Sequence, residues 1–344
     1  LIQLLHWPTM PDASIPPQPQ PHTAKRHSRR WLVVPYALVL AGLIAWSGAW
    51  WMTKLRIERT LDDQAAALRA RGYQAGWSAM TVDGWPFSLK LTLEQPRIVD
   101  PSGWGLSAPA IKGDAGAYDP GHWIFAAPQG LIWTRPEKGP VAVAGRAIRA
   151  SVSGLGGPQP RLSFEGLDLT LTALPGAQPA TFSTIDRLEL HLQPGPEDQA
   201  ALLVKVEKGK LDLGSSLARI SPALDLTWDS RLSHLSAFRG PDWTSAVKTW
   251  TASGGLMTVA GAKLGLGALE LNGAGGTLTV GPDGRLRGQA ALAVGKGGGF
   301  TLGAIHIGGL NIGGLHFSGA MPLRFEDGQA SMGIFPLGRA LRVY

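Results

Sequence analysis

The sequence predicts a mainly β protein: one N-terminal transmembrane helix, a short stalk helix, then a large antiparallel β-sheet, curled or sandwiched. Three observations predict it. Trp31–Met52 reads WLVVPYALVLAGLIAWSGAWWM with no charge, and a helix of roughly 20 apolar residues spans a bilayer's hydrocarbon core. From Tyr73 onward the apolar residues recur at every second position, the period of strands with one buried and one wet face. Helix signals are scarce beyond that point, so the sheet must hide its apolar face largely on its own.

Residues 1–30 are polar and Pro-rich, too poor in apolar groups to form a core, and read as a disordered cytoplasmic tail in which Met10 looks like a start. Residues 31–53 are the membrane helix. Arg29 and Arg30 precede it, Lys54 and Arg56 follow it. Trp31 and Tyr36 at one end, and Trp46, Trp50 and Trp51 at the other, stand where an interfacial aromatic belt belongs. Pro35 falls in the first turn, where a missing N–H costs least. Lys25, Arg26, Arg29 and Arg30 form a tight basic cluster, whereas Lys54, Arg56, Arg59, Arg69 and Arg71 are spread among Glu58, Asp62 and Asp63. A bare count of cations does not orient the helix, but the tighter cluster leads, and the following chain is too long for its charges to govern translocation. The expectation is a signal anchor in the inner (cytoplasmic) membrane with residues 73–344 in the periplasm. Other readings of the same stretch stand beside it. Ser28–Val33 fits a loose twin-arginine signal. Ser47 and Ala49 frame a cleavage site, although the apolar run exceeds the 7–15 residues or so of a cleavable signal. Ala41, Ala45 and Ala49 form a small-residue stripe that suits helix pairing, a pattern that an Ala- and Gly-rich chain produces by composition.

Residues 54–72 continue as an amphipathic stalk, with Ile57, Leu61, Ala65 and Leu68 on one stripe and Gly72 as the stop. The stripe is shorter than the three to four heptads or so that define a coiled coil. Asp83-Gly84 then signals a hairpin turn. Phe87, Leu89, Leu91 and Leu93 alternate with Ser88, Lys90, Thr92 and Glu94, and these four apolar residues are the candidate face for an apolar ligand. The alternation returns at Leu167–Leu171, Arg187–Leu192, Leu202–Glu207 and Leu224–Trp228, and more faintly over 255–320, where Pro282-Asp283-Gly284 is a turn. Leu235–Trp250 is the best helix beyond the stalk. Such a sheet can close into a barrel, stack as a sandwich, or curl into a trough holding something apolar.

Composition excludes several kinds of chemistry. With Cys 0, disulfides, thiolate metal sites and Cys nucleophiles are ruled out. The formal charge of +7 includes +3 from residues 1–30, and the remaining +4 is too thinly spread for a nucleic-acid footprint. Ser245-Ala246-Val247-Lys248 has the SxxK spacing, but its companion motifs are missing, and Gly295-Lys296 lacks the P-loop Gly spacing and Ser/Thr. His306 and His316 lie on neighbouring strand patterns without an acid or a third His to complete a zinc site. No GxSxG, HExxH or EF-hand spacing occurs. The expectation is therefore a protein that is not an enzyme and carries neither cofactor nor metal.

The stretch GWPFSLKLTLEQPRIVDPSGWGLSAPAI, from Gly84 to Ile111 with a Pro96-Arg97 turn, resembles the signature region of alphaproteobacterial proteins grouped as domain of unknown function 2125. PLRFEDGQASMGIFPLGRAL near the end resembles the C-terminal pattern of the same family. The resemblance runs over residues 31–344 and is specific at its two ends; it implies no catalytic residue and no cofactor. The strand pattern is also similar to that of AsmA-like envelope proteins, associated with lipid handling at the bacterial inner membrane, an architectural likeness only. The expected function is to bind or shield membrane lipid or another apolar ligand in a β-sheet trough. The alternative is a structural or interaction module that has envelope proteins as partners and no ligand.

Overall fold

A computed structural model describes residues 30–155, 160–212, 218, 221–267, 269–295, 300–302, 305–307, 310–312, 315–317 and 319–344. Residues 1–29 of the tail read as disordered, among them the Ser28-Arg29 start of the twin-arginine motif, and Lys296 lie outside these residues, while Arg30 belongs to a helix. The chain divides into two compact units at Trp46/Ser47.

Helix α1 runs from Arg30 to Ala70. In the first unit its apolar side chains, among them Val33, Tyr36, Leu38, Val39 and Ile44, are exposed. Contiguous apolar surface of this kind marks a partner or a membrane, and by length and composition the helix is a candidate membrane anchor. In the second unit the helix packs. Trp50 is only 7 % exposed, its indole N–H donates to the Ser88 carbonyl at 2.9 Å, and Ile57 and Leu61 pack with it against Val82, Leu89, Leu91, Ala115 and Trp123. One expectation is corrected here: Trp50 is buried against the sheet and is not an interfacial side chain. The amphipathic stripe of residues 54–72 packs on the sheet through Ile57 and Leu61.

Ten short strands follow. They are β1 (Gln74–Gly76), β2 (Ala79–Asp83), β3 (Ser88–Glu94), β4 (Arg97–Val99) and β5 (Gly105–Ser107). Then come β6 (Ala110–Gly116), β7 (Asp119–Ala126), β8 (Leu131–Arg135), β9 (Gly139–Ala144) and β10 (Ala147–Ser153). Every pairing is antiparallel, and the ladders form two arms. One arm is β2–β3–β6–β7–β10. The other is β1–β4–β5–β8–β9. Both arms end on β11 (Arg161–Ala173), which pairs β10 along its first half and β9 over Thr170–Ala173. The sheet therefore forks. At the apex Asp168 sits at φ 51 and its carboxylate pairs with Arg146 at 2.7 Å. The ladder to the next strand omits the Asp168–Asp186 pair but keeps its register on both sides.

The long strands β11, β12 (Phe182–Pro194), β13 (Ala200–Leu211) and β14 (Ala223–Leu232) follow in sequence order. One face carries Leu162, Phe164, Leu190, Leu192, Leu202, Val204 and Trp228 in register; the other carries Glu165, Arg187, Glu189, Lys205 and Lys263. The alternation predicts this separation of faces, but the apolar face is not closed over its whole length, since Leu162 and Leu190 are exposed.

After β14 comes β15 (Met257–Leu266), where the sheet forks again. Its last half pairs β16 (Leu269–Gly273), and Met257-Thr258 pairs β17 (Gly276–Val280). The β17 arm continues through β18 (Leu286–Ala290); β19 (Ala293–Val294) joins β16. Two small separate ladders pair β20 (Phe300–Leu302) with β23 (Leu315–Phe317), and β21 (Ile305–Ile307) with β22 (Leu310–Ile312). Beyond β18 the large sheet adds β24 (Leu323–Glu326), β25 (Gln329–Met332) and β26 (Phe335–Arg339). Gly273 is required at this second fork, because a Cβ there would lie 1.8 Å from the Ala291 carbonyl oxygen.

The sheet is not a closed barrel; it curls and packs on itself. Val141 and Val143 of β9 share one core with Leu169, Ile185, Val206, Leu266, Leu271 and Met332. The single helix expected over Leu235–Trp250 is broken into a 3₁₀ turn at Leu235–Ala237 and helix α2 (Trp243–Ala252). Gly240-Pro241 interrupts it, and Asp242 caps α2 by accepting the Ser245 N–H at 2.7 Å.

Candidate apolar cavity in the forked sheet

Where the arms of the first fork diverge they leave a gap, and the second half of α1 crosses it. The result is an apolar cavity of about 310 Å³, at the small end of ligand pockets. Leu61, Ala65 and Leu68 of α1 form one wall. Leu93 of β3 and Ile111 of β6 come from one arm, Ile98 of β4, Leu106 of β5 and Leu131 of β8 from the other. Ile98 and Leu106 are themselves exposed, so the cavity opens to the surface. Arg97 also borders it, with its guanidinium held by two N–H donors to Gln74 Oε1, at 2.9 and 3.2 Å. The lining offers no acid, base or nucleophile arranged for catalysis. What it can do chemically is remove an apolar group from water, worth roughly 25 cal/mol per Å² buried.

Of the four residues read as the ligand face, the structure places only Leu93 at this cavity. Leu89 and Leu91 are 0 % and 3 % exposed, packed beneath Trp50 as closed core. Phe87 is 75 % exposed and precedes β3, because the Ser88 N–H closes a turn onto the Gly84 carbonyl at 3.0 Å before the ladder begins. Phe87 therefore does not belong to the face. Leu61 and Leu68 do carry a sequence signal, the helical stripe. Ile98 and Leu106 carry almost none, since β4 and β5 are three residues each.

A second cleft of about 650 Å³ shares Ile98 and Leu106 with the apolar cavity and is lined by Tyr73, Trp104, Trp133, Phe238 and Trp243. Asp100, mostly buried at its edge, accepts from the Ser102 hydroxyl at 2.8 Å, the Trp104 N–H at 2.9 Å and the Trp243 N–H at 3.2 Å, tying the β1–β4–β5–β8–β9 arm to the start of α2. Burial, reinforced by Asp100 and Asp242, pushes the Tyr73 phenol above its ordinary value, so it stays a hydrogen-bond donor.

The remaining sequence candidates are accounted for by their surroundings. Ser245 receives its cap from Asp242, and Lys248 Nζ lies 5.3 Å from the centre of the Tyr344 ring. His306 is opposite Asn311 and His316 opposite Thr301, in separate ladders. Among the described residues no group of three His, Asp or Glu gathers in a metal-binding arrangement.

Fold and cavity define a class: a mainly antiparallel β protein with one candidate N-terminal membrane anchor. The chain belongs to the family described as "uncharacterized protein conserved in bacteria (DUF2125)", which matches residues 50–298. The match begins at the buried Trp50 and covers both arms of the first fork and the four long strands. No curated protein and no solved structure matches the chain.

Proposed function

We propose that the protein is anchored in the inner membrane by Trp31–Met52, with its β-domain in the periplasm, and takes one acyl chain of a membrane lipid into the apolar cavity. One observation carries this reading: a wall of the cavity is the helix that includes the apolar run. Leu61 follows Met52 by nine residues, about 14 Å at roughly 1.5 Å per helical residue. A lipid leaving the bilayer edge therefore has a short path to an apolar lining. The likeness of the strand pattern to AsmA-like envelope proteins agrees with it as an architectural analogy. The protein acts in this reading as a binder, not an enzyme.

The test is mass spectrometry of lipid retained by the detergent-extracted protein and its Ala65→Phe variant. Ala65 is 5 % exposed and lines the cavity, so an added ring fills it. Lipid on the native protein and at least a tenfold loss on the variant, with unchanged protease resistance, is the expected result. A native protein that carries no lipid sinks the proposal. It favours instead an interaction module without a ligand, for which the exposed Tyr118 and Ile334 supply surface.

A further inference from the structure

A third cavity, of about 670 Å³, lies between the β8–β9 turn, the chain entering β12, Arg285 and the C-terminal segment. Its lining shares no residue with the apolar cavity. It gathers five cations, Arg135, Lys138, Arg285, Arg339 and Arg342, against one acidic side chain, Glu137. Arg135 is the informative one. It is 6 % exposed, yet its guanidinium donates only to carbonyl oxygens, those of Gly139 at 3.2 Å, Pro179 at 3.2 Å, Lys138 at 3.3 Å, and Gln178. Among the described residues no carboxylate pairs with it. Burial lowers its proton affinity and no acid offsets that, but an Arg stays charged. A buried charge without a counter-ion is costly, and low-dielectric walls concentrate its field in the cavity.

The other cations add to this positive charge. Arg342 is paired with Glu137 across the rim and Arg285 donates to the Ala340 carbonyl at 2.7 Å. Lys138 and Arg339 are exposed, and among the described residues neither has an ion-pair partner. The cavity is therefore lined by several positive charges around a space large enough for a polyatomic anion, with guanidinium groups whose fork suits phosphoryl oxygens. We infer that this cavity binds a phosphoryl anion, either free or as the headgroup of a lipid. The inference does not depend on the apolar cavity being occupied.

Titration calorimetry on the full chain in nonionic detergent at low salt tests it, with inorganic phosphate in one arm and dihexanoyl phosphatidic acid in the other. Dihexanoyl phosphatidylcholine, which has no net charge, is the control. Saturable binding of phosphate supports the site with a free anion as its occupant; binding of the phosphatidic acid alone assigns the headgroup. In either case Lys138→Gln/Arg339→Gln should weaken binding about tenfold or more, while the thermal midpoint without ligand stays unchanged. Glu137→Gln removes the one competing acidic side chain and should strengthen binding, which keeps the test decisive if the double variant fails to fold. No saturable binding in either arm, or equal affinity in the native protein and every folded variant, overturns the inference.

Discussion

Leu91 and Lys90 are neighbours in sequence and opposites in environment. Leu91 is 3 % exposed beneath Trp50 and Trp123, whereas Lys90 is exposed on the far face, with Asp83 and Asp114 as cross-strand neighbours. Leu91→Asp removes apolar contacts and buries a carboxylate that has no partner there, a loss of roughly 3–5 kcal/mol. Lys90→Ala should stay within about 0.5 kcal/mol, because exposed cross-strand charges contribute little. Urea unfolding of the two variants checks both, and equal damage from the two would overturn the assignment of faces in β3. The period-2 pattern made this pair legible in the sequence. Phe87, four positions before Leu91, fits the same pattern and is nevertheless exposed, because periodicity does not reveal where a turn ends and a ladder begins.

At the scale of the element, α2 shows how local signals compete with pattern. Apolar residues from Leu235 to Trp250 fit one amphipathic helix, but Gly240-Pro241 breaks it and Asp242 starts it afresh. Both signals were present in the sequence: a Pro ending the first turn and an Asp at the N-cap. Two of the N-terminal N–H groups are satisfied by different carboxylates, Ser245 by Asp242 at 2.7 Å and Trp243 by Asp100 at 3.2 Å. Asp242→Ala should therefore cost about 1 kcal/mol, seen as a lower urea midpoint with an unchanged slope, and Asp242→Asn should recover most of it. A silent Asp242→Ala would mean that the cap does not hold this end of the helix. The forks were not legible in the same way. They depend on strands of three residues and on one long strand pairing with two others end to end, and neither leaves a periodic trace.

At the scale of the whole molecule, the decisive feature is what covers an apolar face. The stripe Ile57, Leu61, Ala65 and Leu68 is plain in the sequence, but an apolar stripe does not say what lies against it. In the structure the second half of α1 closes the core of β2, β3, β6 and β7 and forms a wall of the cavity. The compact unit that contains the strands begins at Ser47, whereas the period-2 pattern begins at Tyr73. Two truncated chains separate these boundaries. One starting at Ser47 retains Trp50, Ile57 and Leu61 and should unfold cooperatively and resist protease. One starting at Tyr73 loses those three side chains and uncovers Val82, Leu89 and Leu91. At roughly 2 kcal/mol for each large apolar side chain returned to water, the loss is on the order of 5 kcal/mol or more, comparable to the net stability of an ordinary domain. The shorter chain should accordingly be protease-sensitive and aggregate. If it proves as stable as the longer one, the packing of α1 adds nothing to the stability of the sheet, and α1 is not an essential wall of the cavity.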